Sequence, residues 1–246
     1  MLDDLKKVSG DVSANANAIH ALMVAAGKGS RFGTTLPKQY LILTDKTVLE
    51  ESVACLDDDG IDDLTLVIAK DDAYFAGLNL TYQRPLFVGV GGAERWQSVH
   101  AGVSMIRTRG GRDDDWVVIH DAARPCLPKA DLQALMTALQ NSRADGVILA
   151  TPMVDTLKQV SNGVIERTVD RSVLWQAQTP QAFRLKTLEV VLNQVAQQGL
   201  DITDEASAFE MLGYTVEVVQ GSKLNVKLTY PDDLPLLRLI HQLTDG

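Results

Sequence analysis

From residue 18 onward, short apolar runs rich in β-branched residues alternate with longer amphipathic stretches. That alternation predicts a mostly parallel sheet covered by helices. The runs are IHALMVAA (19–26), LTLVIA (64–69), PLFVGV (85–90), WVVIH (116–120) and GVILAT (146–151). Their near-continuous apolar character predicts strands buried on both faces. Between them the 3.6-residue period predicts helices over 47–56, over 94–107 with Val99, Val103 and Ile106 on one stripe, and over 129–141 with Leu132, Leu135, Met136 and Leu139. Each is long enough to cross back over a sheet.

The rhythm breaks between Val154 and Asp170. TLKQV and VIERTV are short alternating segments separated by Ser161, Asn162 and Gly163, which predicts a β-hairpin. A lone hairpin cannot bury both faces, and a second copy of the chain is the expected cover. Helices are predicted to resume over 183–198 and 204–212, followed by strands at TVEVVQ and NVKLT. A last helix is expected to open at Pro231, with Asp232 and Asp233 at the positive end of its dipole. Residues 1–17 hold no apolar core of a signal peptide and are expected to form a flexible leader before one domain, 18–246, whose β-arm spans about 152–172. No run approaches the roughly 18–20 apolar residues of a membrane span.

Composition narrows the partners. Among 246 residues, 23 Lys and Arg stand against 32 Asp and Glu, a net charge of −9. A nucleic-acid binder needs a surplus of cations on one face, so that class is excluded. With 46% hydrophobic and 22% charged residues, the chain has the makeup of a packed protein. Cys55 and Cys126 lie far apart, in no CxxC or Cys/His cluster, which excludes a disulfide framework or zinc site and suits a reducing, cytoplasmic setting.

Two loops carry candidate chemistry. The first, Ala25-Ala26-Gly27-Lys28-Gly29-Ser30-Arg31-Phe32-Gly33 with Pro37-Lys38-Gln39 soon after, follows the first strand directly. Glycines there let backbone N–H groups approach phosphate oxygens, and cations add charge. It is neither a dinucleotide fingerprint, where Phe32 would have to be Gly, nor a Walker A loop. A bare GxG after a strand is equally the mark of a tight turn; Arg31 and Lys38 favour the phosphate reading. The second loop is His120-Asp121-Ala122-Ala123-Arg124-Pro125, after the fourth strand. Ligands of open α/β sheets bind beyond the carboxyl ends of strands, which places Asp121 to meet a ligand or metal, although a strand-end Asp also commonly caps a turn. Together the loops suit a nucleotide triphosphate and Mg²⁺.

AAGKGSRFG with PKQY, then GGAERWQSV, HDAARP, DTLK, TVDR, QTPQAF, TDEAS and NVKLTYPDDL, in this order, resemble the 2-C-methyl-D-erythritol 4-phosphate cytidylyltransferases of the non-mevalonate isoprenoid pathway. The resemblance runs from about residue 18 to the C-terminus. It implies an α/β, Rossmann-like three-layer nucleotidyltransferase fold with a protruding β-arm that forms a homodimer. It implies transfer of CMP from CTP to methylerythritol 4-phosphate, with Mg²⁺. By motif, Ala25, Ala26, Gly27, Gly29, Arg31 and Lys38 would surround the triphosphate, and Gly92, Arg95 and Ser98 the cytosine and ribose. Asp121 would lie near the metal and the sugar phosphate. Thr156 and Arg171 would reach the substrate of the neighbouring subunit, and Thr203 and Lys227 would hold the polyol phosphate from the other side. Val24, Ala93 and Leu224 depart from residues some relatives carry, the last from an acidic group at the polyol hydroxyls.

The chemistry has a direct rationale. A phosphate oxygen attacking the α-phosphorus places extra negative charge on equatorial oxygens, so preorganised cations and in-line positioning do most of the catalysis. The candidates are Arg31 and Lys38 for the transition state and Arg171 and Lys227 for aiming the nucleophile. That nucleophile is already an anion and needs no general base. Arg31, Lys38, Arg95, Arg124, Arg171 and Lys227 are accordingly expected at one edge of the sheet. His20 and His120 are expected to be packed, hydrogen-bonded residues, Trp96 and Trp175 either to stack on a base or, no less readily, to serve as core or interface residues, and the acidic runs 57–59 and 113–115 to be solvated loop charge. A ribitol 5-phosphate cytidylyltransferase and a non-catalytic nucleotide-binding protein remain as alternatives.

Overall fold

The computed structural model describes residues 17–27 and 36–244. Gly29 and Arg31 of the first loop, and nearly all of the leader, lie outside the described residues.

Five of the predicted strands form where the apolar runs stand: β1 (Ile19–Val24), β2 (Asp63–Ile68), β3 (Leu86–Val90), β4 (Trp116–Asp121) and β5 (Gly146–Pro152). The hairpin comprises β6 (Leu157–Ser161) and β7 (Val164–Val169), turning at Asn162 and Gly163, both with positive φ. After it come β8 (Trp175–Arg184) and β9 (Val216–Gln220). The main sheet runs β3-β2-β1-β4-β8-β5-β9, and the hairpin pairs only with itself. Every neighbouring pair in the main sheet is parallel except the two that involve β8.

Helices α1 (Val48–Ala54), α2 (Arg95–Thr108), α3 (Lys129–Asn141), α4 (Leu185–Gln198), α5 (Glu205–Met211) and α6 (Asp233–Thr244) supply the covering layers. Strand pleating sorts the core. Ala21, Met23, Leu64 and Leu66 face α1 and α3, where they meet Leu49, Val53, Leu132 and Leu135. Leu22, Val67, Val117 and Ile119 face α2, α4 and α5, meeting Val99, Val103, Leu188 and Phe209. The result is the three-layer α/β architecture expected. Local chemistry sets the ends: Thr47 and Glu50 cap α1 reciprocally, Asp204 and Ser207 cap α5, and Gly199, left-handed at φ 63°, ends α4.

Several expectations are corrected. Residues 175–184 form a central strand that the periodicity does not reveal, so α4 begins at Leu185 and not at 183. NVKLT forms no strand; it crosses the end of the sheet, where Leu228 N–H donates to Ala123 O and Leu228 packs with Leu43, Val48 and Leu237. The last helix starts at Asp233, whose carboxylate accepts from Thr229 N and Tyr230 N, with Pro231 left in the preceding turn. Asp115 is not solvated: at 2% exposure it accepts from Arg112 and Ala18 N. Asp57 and Asp59 both pair with Arg84. Among the described residues, no helix is long and apolar enough to cross a membrane.

Candidate active site

β1 and β4 lie side by side in parallel, with Val24 opposite Asp121, so the two informative loops leave the sheet at the same place. Above them opens a cleft of about 840 Å³. Of the residues singled out from sequence, Ala25, Ala26, Gly27, Lys38, Gly92, Arg95, Ser98, Asp121 and Lys227 line it.

The first wall is a turn held from below. Ala25 N–H continues the ladder to Val67 O at 2.7 Å, after which the chain leaves the sheet. The buried Gln39 carboxamide donates to Ala25 O at 2.8 Å and to Gly27 O at 3.2 Å. Among the described residues, a Cβ at Gly27 would meet nothing within 4 Å. The second wall comes from the β3–α2 connection. A Cβ at Gly91 would lie 2.4 Å from Ser98 Oγ and 2.8 Å from Ala26 Cβ, so glycine there lets the two loops touch.

Asp121 is the electrostatic centre. Its Oδ1 accepts from Arg95 Nη2 at 3.3 Å, while Oδ2 lies 2.7 Å from Lys227 Nζ and 3.7 Å from Arg124 Nε. Burial alone would raise its pKa, but Arg95, Lys227 and Arg124 outweigh it and hold the carboxyl far below the usual carboxylate range. Its backbone N–H donates to Thr179 Oγ1 at 3.1 Å, and the same hydroxyl lies 3.0 Å from His120 Nδ1. His120 is fully buried beneath, its other ring nitrogen 3.1 Å from Arg124 O; burial pushes its pKa down to about 4. It is a packed residue, as expected.

The crossing segment 222–229 closes the top. Lys38 Nζ donates to Leu228 O at 2.6 Å, and Arg124 Nη1 to Asn225 O at 2.6 Å. Asn225 Nδ2 donates to Thr179 O at 2.7 Å, which ties this segment to β8. Arg124, 8% exposed, thus belongs to the wall, while Lys38, Arg95 and Lys227 face the cleft. A smaller cleft of about 490 Å³ adjoins it, sharing Lys227 and Thr229 and lined also by Arg124, Gln178 and Asn225.

Thr156, Arg171 and Thr203 are exposed and line neither cleft of the single chain. Thr203 N–H donates to Ser207 Oγ at the start of α5. Sequence reasoning passed over Gln39, Thr179, Asn225 and Glu205, which build the site from behind. All four sit inside quoted motifs, Gln39 in PKQY, Thr179 in QTPQAF, Glu205 in TDEAS and Asn225 in NVKLTYPDDL, the one signal that could have found them. Among the described residues no three His, Cys, Asp or Glu side chains cluster for a metal. Asp121 and Glu94 are the carboxylates that line the cleft, and so sparse a set fits a cation that arrives with substrate phosphates and keeps its waters, the habit of Mg²⁺.

The comparisons with known proteins agree with this geometry. The family model for 2-C-methyl-D-erythritol 4-phosphate cytidylyltransferase matches residues 19–242. A protein of that name from Psychrobacter arcticus is 46% identical, over 90% of each chain, and one from Paraburkholderia phytofirmans 44% identical, over 90% of this chain and 95% of the relative. A solved 4-diphosphocytidyl-2C-methyl-D-erythritol synthase superposes with a TM-score of 0.80 at 36% identity, covering 93% of this chain and all of that one. The Francisella tularensis 2-C-methyl-D-erythritol 4-phosphate cytidylyltransferase superposes with 0.78 at 33% identity, covering 91% and 100%. With its fold and about nine-tenths of its length matched, the chain belongs to the 2-C-methyl-D-erythritol 4-phosphate cytidylyltransferase family.

Proposed function

We propose that this chain transfers CMP from CTP to 2-C-methyl-D-erythritol 4-phosphate, giving CDP-methylerythritol and pyrophosphate. The observation that carries the reading is the set of cations, Lys38, Arg95 and Lys227, converging with Asp121 on one cleft at the carboxyl ends of β1 and β4. The triphosphate lies over the Ala25–Gly27 turn, with Gly29 and Arg31 from the remainder of that loop, and the nucleoside lies toward Gly92, Arg95 and Ser98. Lys227, half-exposed at the junction of the two clefts, receives the polyol phosphate and aims its oxygen at the α-phosphorus, with Thr203 on the same side. Such positioning is worth up to roughly 7–11 kcal/mol. Lys38 and Arg31 then stabilise the charge that builds on the equatorial oxygens in the transition state.

Mg²⁺ bound by Asp121 and the phosphates would screen the triphosphate charge and favour departure of pyrophosphate. The arm acts in a homodimer, where Thr156 and Arg171 of one protomer serve the polyol phosphate held by the other. Exposed apolar side chains on and beside the hairpin support this: Val160, Val164, Ile165 and Val173 are 54%, 67%, 59% and 78% exposed. The enzyme works in the cytoplasm, where its substrates and its two thiols outside any disulfide, Cys55 and Cys126, belong.

The test is pyrophosphate release from CTP with Mg²⁺, comparing methylerythritol 4-phosphate with ribitol 5-phosphate. Release with the first is expected. Faster turnover with ribitol 5-phosphate would replace the substrate, and no release with either would leave a nucleotide-binding protein.

A further inference from the structure

Glu205 is 1% exposed and does not line the cleft, yet both its oxygens accept from Nη1 of Arg95, 110 residues away in sequence. Nη2 of the same guanidinium donates to Asp121 Oδ1 at 3.3 Å. Arg95 is therefore stretched between two carboxylates, one inside the cleft and one behind it. The rear anchor is itself fixed. Glu205 opens α5 directly after its N-cap Asp204, whose side chain accepts from Ser207 N; Gln181 Nε2 donates to Asp204 Oδ2 at 2.8 Å, and Ala206 N–H donates to Gln181 Oε1 at 3.3 Å. The start of α5 is in this way pinned to the central strand β8.

A buried carboxylate is a poor device for stability alone, since a well-packed apolar pair often serves as well or better. What it supplies is direction. A guanidinium whose Nη1 is held by both oxygens of one buried carboxylate and whose Nη2 is held by another has little freedom to swing. Without Glu205, Arg95 keeps Asp121 as its carboxylate and would compete there with Lys227, whose Nζ lies 2.7 Å from Oδ2. We infer that Glu205 is a positioning residue, which holds the Arg95 guanidinium in the nucleotide half of the cleft, so that it touches Asp121 through Oδ1 and leaves the Lys227 contact at Oδ2 undisturbed. The inference rests on reading that cleft as the CTP site.

The experiment is a double-mutant cycle of Glu205→Gln and Arg95→Ala on the full chain. Calorimetry gives the Kd for CTP without the polyol phosphate, steady-state kinetics give KM and kcat for both substrates, and melting gives stability. Glu205→Gln is expected to weaken CTP binding and raise its KM about tenfold, while KM for the polyol phosphate stays within about twofold. Added to Arg95→Ala, it should cost less than about a further twofold, because the two residues act as one unit. Glu205→Asp, which keeps the charge one methylene short, should recover part of the loss. A Glu205→Gln protein that melts lower but binds CTP like wild type overturns the inference, as does a full multiplication of the two single effects. Should Glu205→Gln not fold, Arg95→Lys carries the test, because lysine keeps the charge but cannot span both carboxylates; wild-type CTP affinity in that variant is the overturning result. Failure of the wild type to bind CTP would instead remove the functional reading itself.

Discussion

Asp121→Asn removes one charge from the centre of the cleft and leaves three cations facing one another. Each of the contacts, at 2.7, 3.3 and 3.7 Å, is about 5 kcal/mol of gross attraction at an effective dielectric of about 20. Most of that is offset by burying the carboxylate, whose side chain is 10% exposed. The Lys227 contact is further discounted, since that side chain is 41% exposed and such pairs are worth about 0–1 kcal/mol. Arg124, at 9%, has no such recourse to water. Breaking a buried pair from one side costs about 3–5 kcal/mol, and screening at Lys227 and Arg95 brings the expected loss to about 2–4 kcal/mol. For a domain of this size the melting temperature should fall by roughly 5–15 °C. Because the orphaned cations are then best satisfied by an anion, saturating pyrophosphate should raise the melting temperature of the variant more than that of the wild type. Differential scanning calorimetry with and without pyrophosphate reads both effects, and turnover should fall by about 10²-fold or more. A variant with wild-type circular dichroism that melts within about 2 °C of wild type without ligand refutes the electrostatic account.

Lys38→Ala should lower kcat by about 10²-fold or more while CTP affinity changes less than about tenfold, as single-turnover kinetics beside calorimetry would show; equal losses in both would assign Lys38 to ground-state binding. His120 is held neutral, with its pKa pushed down to about 4 by burial against about 6.5 unfolded. Between those values the unfolded chain binds a proton that the folded chain does not, so this contribution is complete above pH 6.5 and is lost as the pH falls toward 4. Urea unfolding at pH 7 and pH 5 should therefore show a loss of about 1–2 kcal/mol that His120→Gln lacks. Ile165→Asp on the arm should shift sedimentation from dimer to monomer and abolish turnover while leaving the melting of the main domain nearly unchanged; an active monomer would detach the arm from catalysis.

The apolar runs located β1 to β5 and β9, and the stripes Val99-Val103-Ile106 and Leu132-Leu135-Met136-Leu139 located α2 and α3, because burial on a regular lattice leaves a period in the sequence. β8 left none. Its buried stretch carries Gln178, Thr179, Pro180 and Gln181, a composition that argues against a central strand. Those residues are polar because they hold the site: Thr179 accepts from Asp121 N and Asn225, Gln178 donates to Ser222 O, and Gln181 steadies α5. Pro180 is tolerated because the register with β5 shifts between Ile148 and Ala150, where no ladder bond is asked of it. NVKLT alternates for a real reason, Leu228 facing the core, but its backbone groups go to Ala123 and Lys38 and not to a neighbouring strand. Glu205 and Arg95 meet across 110 residues, a pairing about which periodicity carries no information. Of the cleft residues, the Ala25–Gly27 turn, Lys38 and Asp121 were legible from a glycine turn, a nearby cation and a strand-end carboxylate, while Gly92, Arg95, Ser98 and Lys227 were found only through the resemblance of their motifs to a family.

β8 also sets the order in which the molecule can be built on the ribosome. β1 to β4 form a parallel four-stranded sheet from the first half of the chain, but β4 has its second neighbour only in β8, and β5 pairs with nothing but β8 and β9. Sixty-three residues separate the end of β4 at Asp121 from the end of β8 at Arg184, roughly 3–13 s of synthesis at about 5–20 residues per second. Through that interval the nascent sheet presents an open, fully buried-type edge at β4, the kind of edge that recruits foreign strands. The arm emerges first and β8 follows it into the gap, so a chain interrupted before residue 175 is left as an adhesive half-sheet. Codon-level pausing or chaperone capture over that stretch would therefore bear directly on the yield of active enzyme.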